Sequence, residues 1–279
     1  MRVKVVCVCV IIVFSDWNKN NPVAKVIAIT NQKGGVGKTT TSVNIAASLA
    51  AAKRTVLLVD MDPQGNATMG SGINKNTVEF TCFEVLMGDK ELAEVVVRSE
   101  ACNYDLLPSN SDLTGAEVGL LEEIAREVRL RKALDQVREQ YDFIFVDCPP
   151  ALNMLTINAM VAADAVIIPM QCEYYALEGL TALLQTIEKI RKFLNPKLKV
   201  EGLLRTMFDP RNNLANQVSA QLLEHFGDKV YRTIIPRNVR LAEAPSHGLP
   251  ALKYDSSSRG ALAYLALAGE MLNRAGKAA

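Results

Sequence analysis

Two lysines and three glycines crowd into the octapeptide Lys33-Gly34-Gly35-Val36-Gly37-Lys38-Thr39-Thr40, the part of this sequence best equipped for chemistry. Glycine lacks the Cβ that would hold a ligand off the backbone, so successive N–H groups in such a loop can converge on phosphate oxygens. A helix starting at the end of the loop adds the positive pole of its dipole. Lys38 can then reach β- and γ-phosphates, while the Thr39 hydroxyl offers an oxygen to Mg²⁺. The loop follows an apolar run, Val26 to Ile29, and precedes a helix-like stretch, the order that a phosphate-binding loop requires. ATP and Mg²⁺ are therefore the expected ligands, with Lys33 to Thr40 as the binding segment. A plain glycine-rich turn with two solvated lysines would leave that order unexplained.

Two acidic segments complete the constellation. Asp60-Met61-Asp62-Pro63-Gln64-Gly65-Asn66 begins where the apolar run Val56 to Val59 ends, and Phe143-Ile144-Phe145-Val146 delivers Asp147 at its end. In an open parallel sheet the carboxyl ends of strands face the ligand crevice, so both segments are expected beside the loop. Downstream of a phosphate-binding loop, Asp147 reads as the partner of Mg²⁺, directly behind it or through water. Such a site needs no nucleophilic side chain, because positioning phosphates and metal supplies most of the catalysis.

The elements that must position these residues can be read from apolar periodicity. Strands are expected at Val26–Ile29, Val56–Val59, Asp105–Leu107, Phe143–Val146, Ala165–Ile168, Val200–Leu204 and Val230–Ile235. Helices are expected at Thr40–Lys53, Leu113–Gln140, Leu177–Leu194 and Leu214–Phe226, the last with Leu214, Val218, Leu222 and Phe226 on one face. This alternation predicts an α/β fold of the P-loop NTPase class, a mostly parallel central sheet with helices on both faces. The charges from Glu122 to Arg138 read as the solvated face of one long helix.

With 279 residues, 49% hydrophobic content and a formal net charge of +1, the chain can bury a large core but has little attractive field for nucleic acid as a whole. Any contact with DNA must come from a local patch. The cysteines at 7, 9, 82, 102, 148 and 172 form no C-x-x-C pair, and reduced, buried thiols in a cytoplasmic protein are the expectation. Arg2 and Lys4 precede an apolar run from Val5 to Phe14, too short to span a bilayer as a helix and without a small-x-small cleavage site after it. Residues 1–22 are expected to be an N-terminal extension outside the fold, with 23–279 forming a single domain.

The loop departs from the general G-x-x-x-x-G-K-[ST] pattern: Gln32 stands where the first glycine would be, and an extra lysine, Lys33, precedes the glycine pair. In this it resembles the deviant Walker A loop of the ParA and MinD superfamily. Asp60 to Asn66 is similar to the D-x-D-P-Q-G-N motif of ParA-like ATPases. The segments Pro169 to Gly179 and Ile235 to Ser246 extend the likeness over Val23 to Arg274 and narrow it to the Soj/ParA-type partitioning ATPases. The resemblance implies that Lys33 reaches across a nucleotide-sandwich homodimer to the partner's phosphates, that Asp62 orients the attacking water, and that Asp60 sits near the metal shell. It further implies that Pro236 and Asn238 line the adenine pocket and that Arg211 and Arg240 bind DNA without sequence preference. A ParB-type centromere-binding partner that stimulates slow hydrolysis, and association with the nucleoid in the ATP-bound state, follow from the same likeness.

Alternatives are a MinD-like membrane-associated positioning ATPase and a non-hydrolysing nucleotide-binding regulator. The first needs a basic amphipathic C-terminal helix, whereas Arg259 to Ala279 carries Leu262, Leu265, Ala266 and Leu272 with few cations among them and reads as a helix packed on the body. No stable membrane association is expected. A cluster-binding reductase would need cysteines in ligand motifs, and an anion pump a second phosphate-binding loop.

Overall fold

The computed structural model describes residues 23–276, so the expectation for residues 1–22 lies outside the described residues. Seven strands are formed: β1 (Lys25–Ile29), β2 (Val56–Asp60), β3 (Val97–Ser99), β4 (Tyr104–Leu107), β5 (Phe143–Asp147), β6 (Ala165–Met170) and β7 (Lys199–Arg205). They make one sheet in the order β3-β4-β2-β5-β1-β6-β7, with every pair parallel except β3 with β4. Register decides where the chemistry falls. Ile29 and Asp60 both stand opposite Asp147, so three neighbouring strands end in one row and release their loops at the same edge.

The helices, in chain order, are α1 (Lys38–Ala51), α2 (Asn66–Gly70), α3 (Cys82–Met87), α4 (Leu92–Val95), α5 (Leu113–Glu122), α6 (Arg129–Asp135), α7 (Met154–Ala162), α8 (Ala176–Phe193), α9 (Asn213–Phe226), α10 (Val239–Glu243), α11 (Ala251–Tyr254) and α12 (Arg259–Gly276). Because side chains alternate along a strand, the sheet feeds two cores. Val26, Ala28, Leu57, Val59, Ile144 and Val146 point to the face covered by α3 through α9. Ile27, Ile29, Leu58, Phe143 and Phe145 point to the other, covered by α1, α2 and α10 through α12. Strands buried on both faces read as continuous apolar runs, which is why they were visible in the sequence.

Three expectations are corrected. The single helix over Leu113–Gln140 is broken: Glu123 turns extended, Ala125 adopts φ +56°, and α6 starts afresh. Asn158 of α7 holds the break, its Nδ2 donating to Arg126 O and its Oδ1 accepting from Leu130 N. Val230–Ile235 is no strand; it touches the sheet through an isolated bridge, Val230 to Leu203, and through Ile235 N, which donates to Arg205 O at 2.9 Å. The antiparallel edge strand β3 had no expectation. In α12 the buried stripe is Ala261, Tyr264, Leu267, Ala268, Met271 and Leu272, while Leu262 and Ala266 are exposed; the helix is packed on the body as expected, with Leu272 in that stripe. Leu214 of α9 is likewise exposed, leaving Ala215, Val218 and Leu222 to seat that helix. Cys82, Cys102, Cys148 and Cys172 are buried free thiols, and burial pushes the pKa of each upward. No helix among the described residues is long and apolar enough to cross a membrane.

Candidate nucleotide-binding site

The loop from Thr30 to Gly37 leaves β1 at the row of strand ends and turns into α1. Gly35 and Gly37 adopt φ +72° and +87°, where a Cβ is strained, so glycine is required there by the backbone itself. A Cβ on Gly34 would meet nothing within 4 Å of protein, so its place is open. The loop is tied down from behind: Thr206 Oγ1 donates to Val36 O at 2.7 Å and Gln171 Nε2 to Gly35 O at 3.2 Å. Lys38 is 93% shielded from solvent, and its Nζ has one hydrogen-bond acceptor, the carbonyl of Lys33 at 3.2 Å. Burial lowers its pKa, against the attraction of Asp147, Cys148 and Asp62. A cation taken out of water with only a carbonyl to meet it is a cation waiting for an anion.

Behind the loop, Asp147 fixes α1 to β5. Its Oδ2 accepts from Thr39 Oγ1 at 2.8 Å and its Oδ1 from Ser42 Oγ at 2.7 Å. Burial pushes its carboxyl up to about 7, with the nearby Asp60 adding repulsion and the two hydroxyls opposing. Asp60 is also wholly buried and pushed up to about 6 by desolvation, the Thr68 bonds opposing. Its Oδ2 accepts from Thr68 N and Oγ1, at 2.8 and 2.7 Å, and its Oδ1 from Asp62 N at 3.1 Å. Asp60 thus holds the turn between β2 and α2, and both of its oxygens already serve protein donors. Two buried carboxyls on adjacent strands, both biased toward protonation, form a place where a divalent cation is welcome. The residues present therefore fit Mg²⁺, with the Thr39 hydroxyl and Asp147 as the groups to hold it.

Asp62 lies in the same turn, its Oδ1 accepting from Gln64 N at 2.9 Å and its carbonyl from Ser109 Oγ at 2.8 Å. Lys33 is different: it is exposed, and its Nζ pairs with Glu173 Oε2 at 2.5 Å on the loop after β6. On the other side of α1 a cavity of about 170 Å³ is lined by Gly37, Thr40, Met207, Pro236, Asn238 and Tyr264, among others. Pro236 and Asn238 thus come together beside the loop. Arg211 is tied to Asp209 at 2.7 Å, and Arg240 to Glu243 at 2.8 Å and Asp255 at 3.4 Å. The segments that carry them are joined, since Phe208 bridges Pro236 and Arg237 N donates to Phe208 O at 3.4 Å.

A family model described as "AAA domain" matches residues 24–200. The sporulation initiation inhibitor protein Soj of Bacillus subtilis is 55% identical over 88% of this chain and 98% of its own length. The chromosome partitioning protein ParA of Caulobacter vibrioides is 50% identical over 91% of this chain and 96% of its own. The chain belongs to the Soj/ParA family. Among solved structures, cobyrinic acid a,c-diamide synthase from Mycobacterium smegmatis, with bound ADP and magnesium, superposes with a TM-score of 0.77 at 38% identity, covering 88% of this chain and 92% of that one.

For this ParA-type ATPase the geometry adds residues that no motif named. Ser42 shares a helical face with Lys38 and Thr39 at spacings of four and three, a signal present in the sequence but not used. Thr68, Ser109, Gln171 and Thr206 hold the loops from other elements, and nothing in their local sequence announces it. Glu173 lies in the segment Pro169 to Gly179, whose sequence gives no sign of its pairing with Lys33.

Proposed function

We propose that this ParA-type ATPase binds ATP with Mg²⁺, pairs with a second copy, binds duplex DNA without sequence preference, and is reset by hydrolysis that a ParB-type partner accelerates. The observation that carries the reading is the desolvated Lys38 beneath a glycine cradle, with the exposed Lys33 at its mouth. Lys38 and the loop N–H groups hold the phosphates; Pro236, Asn238 and Met207 flank the base. Mg²⁺, when bound, would neutralise phosphate charge. Thr39 and Asp147 would hold that ion, and Asp60 keeps the turn in which Asp62 orients the attacking water. Lys33 exchanges Glu173 for the partner subunit's nucleotide, an exposed ion pair being cheap to give up.

Arg211 and Arg240 are proposed to meet DNA phosphates, each leaving a neighbouring carboxylate to do so. Pairing two subunits doubles the phosphate contacts, so binding depends on ATP and falls steeply with salt. The reading as a partitioning protein is supported by 50% identity to a protein named for chromosome partitioning, against 38% to the synthase; service to a chromosome or plasmid and association with the nucleoid when ATP-bound belong to the proposed DNA binding. DNA co-sedimentation with ADP, ATP and a slowly hydrolysed analogue tests it. Binding that is equal in all three states refutes the proposal.

A further inference from the structure

The end of α8 carries a surface that neither the sheet nor the nucleotide site requires. Ala176, Leu180, Leu183, Ile187 and Ile190 seat this helix, and Asn195 anchors the turn after it by donating from Nδ2 to the carbonyls of Met160, Val161 and Ala163. Between those anchors Phe193 is 71% exposed and Leu194 36%. Lys189, Arg191, Lys192, Lys197 and Lys199 surround them in the sequence, five cations in an eleven-residue stretch without a single acid. All five are exposed. Arg191 pairs with Glu188 at 2.8 Å, but the four lysines have no carboxylate partner among the described residues. Lys192 Nζ lies 5.2 Å from the centre of the Phe193 ring, and Lys189, Arg191, Lys192, Phe193 and Pro196 line one shallow depression.

Cations in the last turn of a helix complement its dipole, which accounts for Arg191 and Lys192. It does not reach Lys197 and Lys199, which follow the helix and open β7, and it gives no reason for an exposed phenyl ring. The position is also particular. A helix connecting parallel strands runs back against them, so this patch lies at the edge opposite the row of strand ends that carries the site.

We propose that this end of the molecule docks on an anionic phospholipid bilayer, its lysines and Arg191 meeting headgroup phosphates while Phe193 and Leu194 enter the interface. A ring of cations around an apolar apex suits a lipid surface, where long lysine stems keep their charge in the headgroups as the apolar tip goes deeper. A duplex backbone satisfies the cations equally but offers the phenyl ring nothing. The contact is peripheral, reversible and weakened by salt, unlike a spanning or lipidated anchor. It goes beyond the nucleotide-gated DNA binding proposed above and needs neither nucleotide nor a second copy.

The test is sedimentation of the full chain, without nucleotide, with vesicles of phosphatidylcholine alone and with vesicles containing roughly equal phosphatidylglycerol. Binding to the anionic vesicles only, lost at high salt, is expected. The double variant Lys189→Glu, Lys192→Glu should lower the bound fraction's partition coefficient by at least about tenfold, and Phe193→Ala by a smaller factor with the charge intact. All three positions are exposed, and an unchanged thermal melt confirms that the variants fold. Equal binding to neutral vesicles, or binding that survives the double variant, overturns the proposal. So does a result in which the double variant loses duplex DNA and keeps vesicles, which would make the surface a nucleic-acid one. None of these outcomes depends on whether ATP gates DNA binding, so the two readings fail separately.

Discussion

Lys38→Met separates a ligand-holding lysine from a structural one by the sign of its effects. Lys38 is buried, its one hydrogen-bond acceptor among the described residues is the Lys33 carbonyl at 3.2 Å, and desolvation outweighs the attraction of nearby acids enough to lower its pKa. A thioether of similar length removes that desolvation and leaves the packing, so apo stability should stay level or rise by about 0–1 kcal/mol. With nucleotide the balance reverses. At roughly 100 times Kd a ligand stabilises the fold by about 2.7 kcal/mol, which for a domain of this size raises Tm by about 5–10 °C. Losing a charge-assisted bond of about 2–3 kcal/mol raises Kd about a hundredfold, and at the same ligand concentration the stabilisation shrinks to about 0.4 kcal/mol, roughly 1 °C. Thermal melts of both proteins with and without Mg²⁺ and ATP read all four states. A variant that keeps the full ligand-induced shift removes Lys38 from the phosphate cradle. One whose apo melting point drops by several degrees shows the lysine to be a structural group.

Other substitutions probe the remaining parts. Gly65 has φ +60°, and a Cβ there would come within 2.7 Å of Ser109 O, so Gly65→Ala should cost about 2–4 kcal/mol by denaturant unfolding; a neutral result would mean that the Asp60 to Thr68 turn yields easily. Gly34→Ala, which meets open space, should leave stability within about 0.5 kcal/mol and weaken nucleotide binding, measured by titration; unchanged affinity would turn the phosphates away from this residue. Asp62→Ala should lower phosphate release by about a hundredfold or more while ATP still drives dimerisation, followed by size-exclusion chromatography, and a variant monomeric in ATP contradicts the water-orienting role. Arg240→Glu should lose DNA while still dimerising, and a salt-dependent binding curve like that of the parent would place the DNA surface elsewhere.

The sequence was most informative where one strand ends and a loop of unusual composition begins. Six of the seven expected strands send apolar residues into both cores because helices cover both faces, and the three motif-bearing loops follow from the parallel order. What stayed hidden is held by distant partners. The break after Glu122 carries neither proline nor glycine, and it exists because Asn158 supplies a donor and an acceptor to the interrupted backbone. Val230–Ile235 has the composition of a strand, but between its bonds to β7 from Tyr231 N and Ile235 N the chain turns to the helix α12, Glu270 accepting from Arg232 N and Thr233 N. Asp60 reads from the motif as a group near the metal, whereas its oxygens are occupied by Thr68 and the Asp62 N–H, a fact of tertiary placement. Glycine positions were legible because backbone conformation is a local property; hydroxyl tethers such as Thr206 to Val36 O were not, since they join residues 170 apart.

Asp147 sits under one helix turn and grips it with two hydroxyls, from Thr39 and Ser42. An ion that coordinates the Thr39 oxygen takes a lone pair and leaves its O–H free to go on donating to Asp147, while the Ser42 bond stays fastened. The first turn of α1 can therefore take up an ion without coming adrift from β5, and occupancy of the cradle is felt through Asp147 at the centre of the sheet rather than only at its rim.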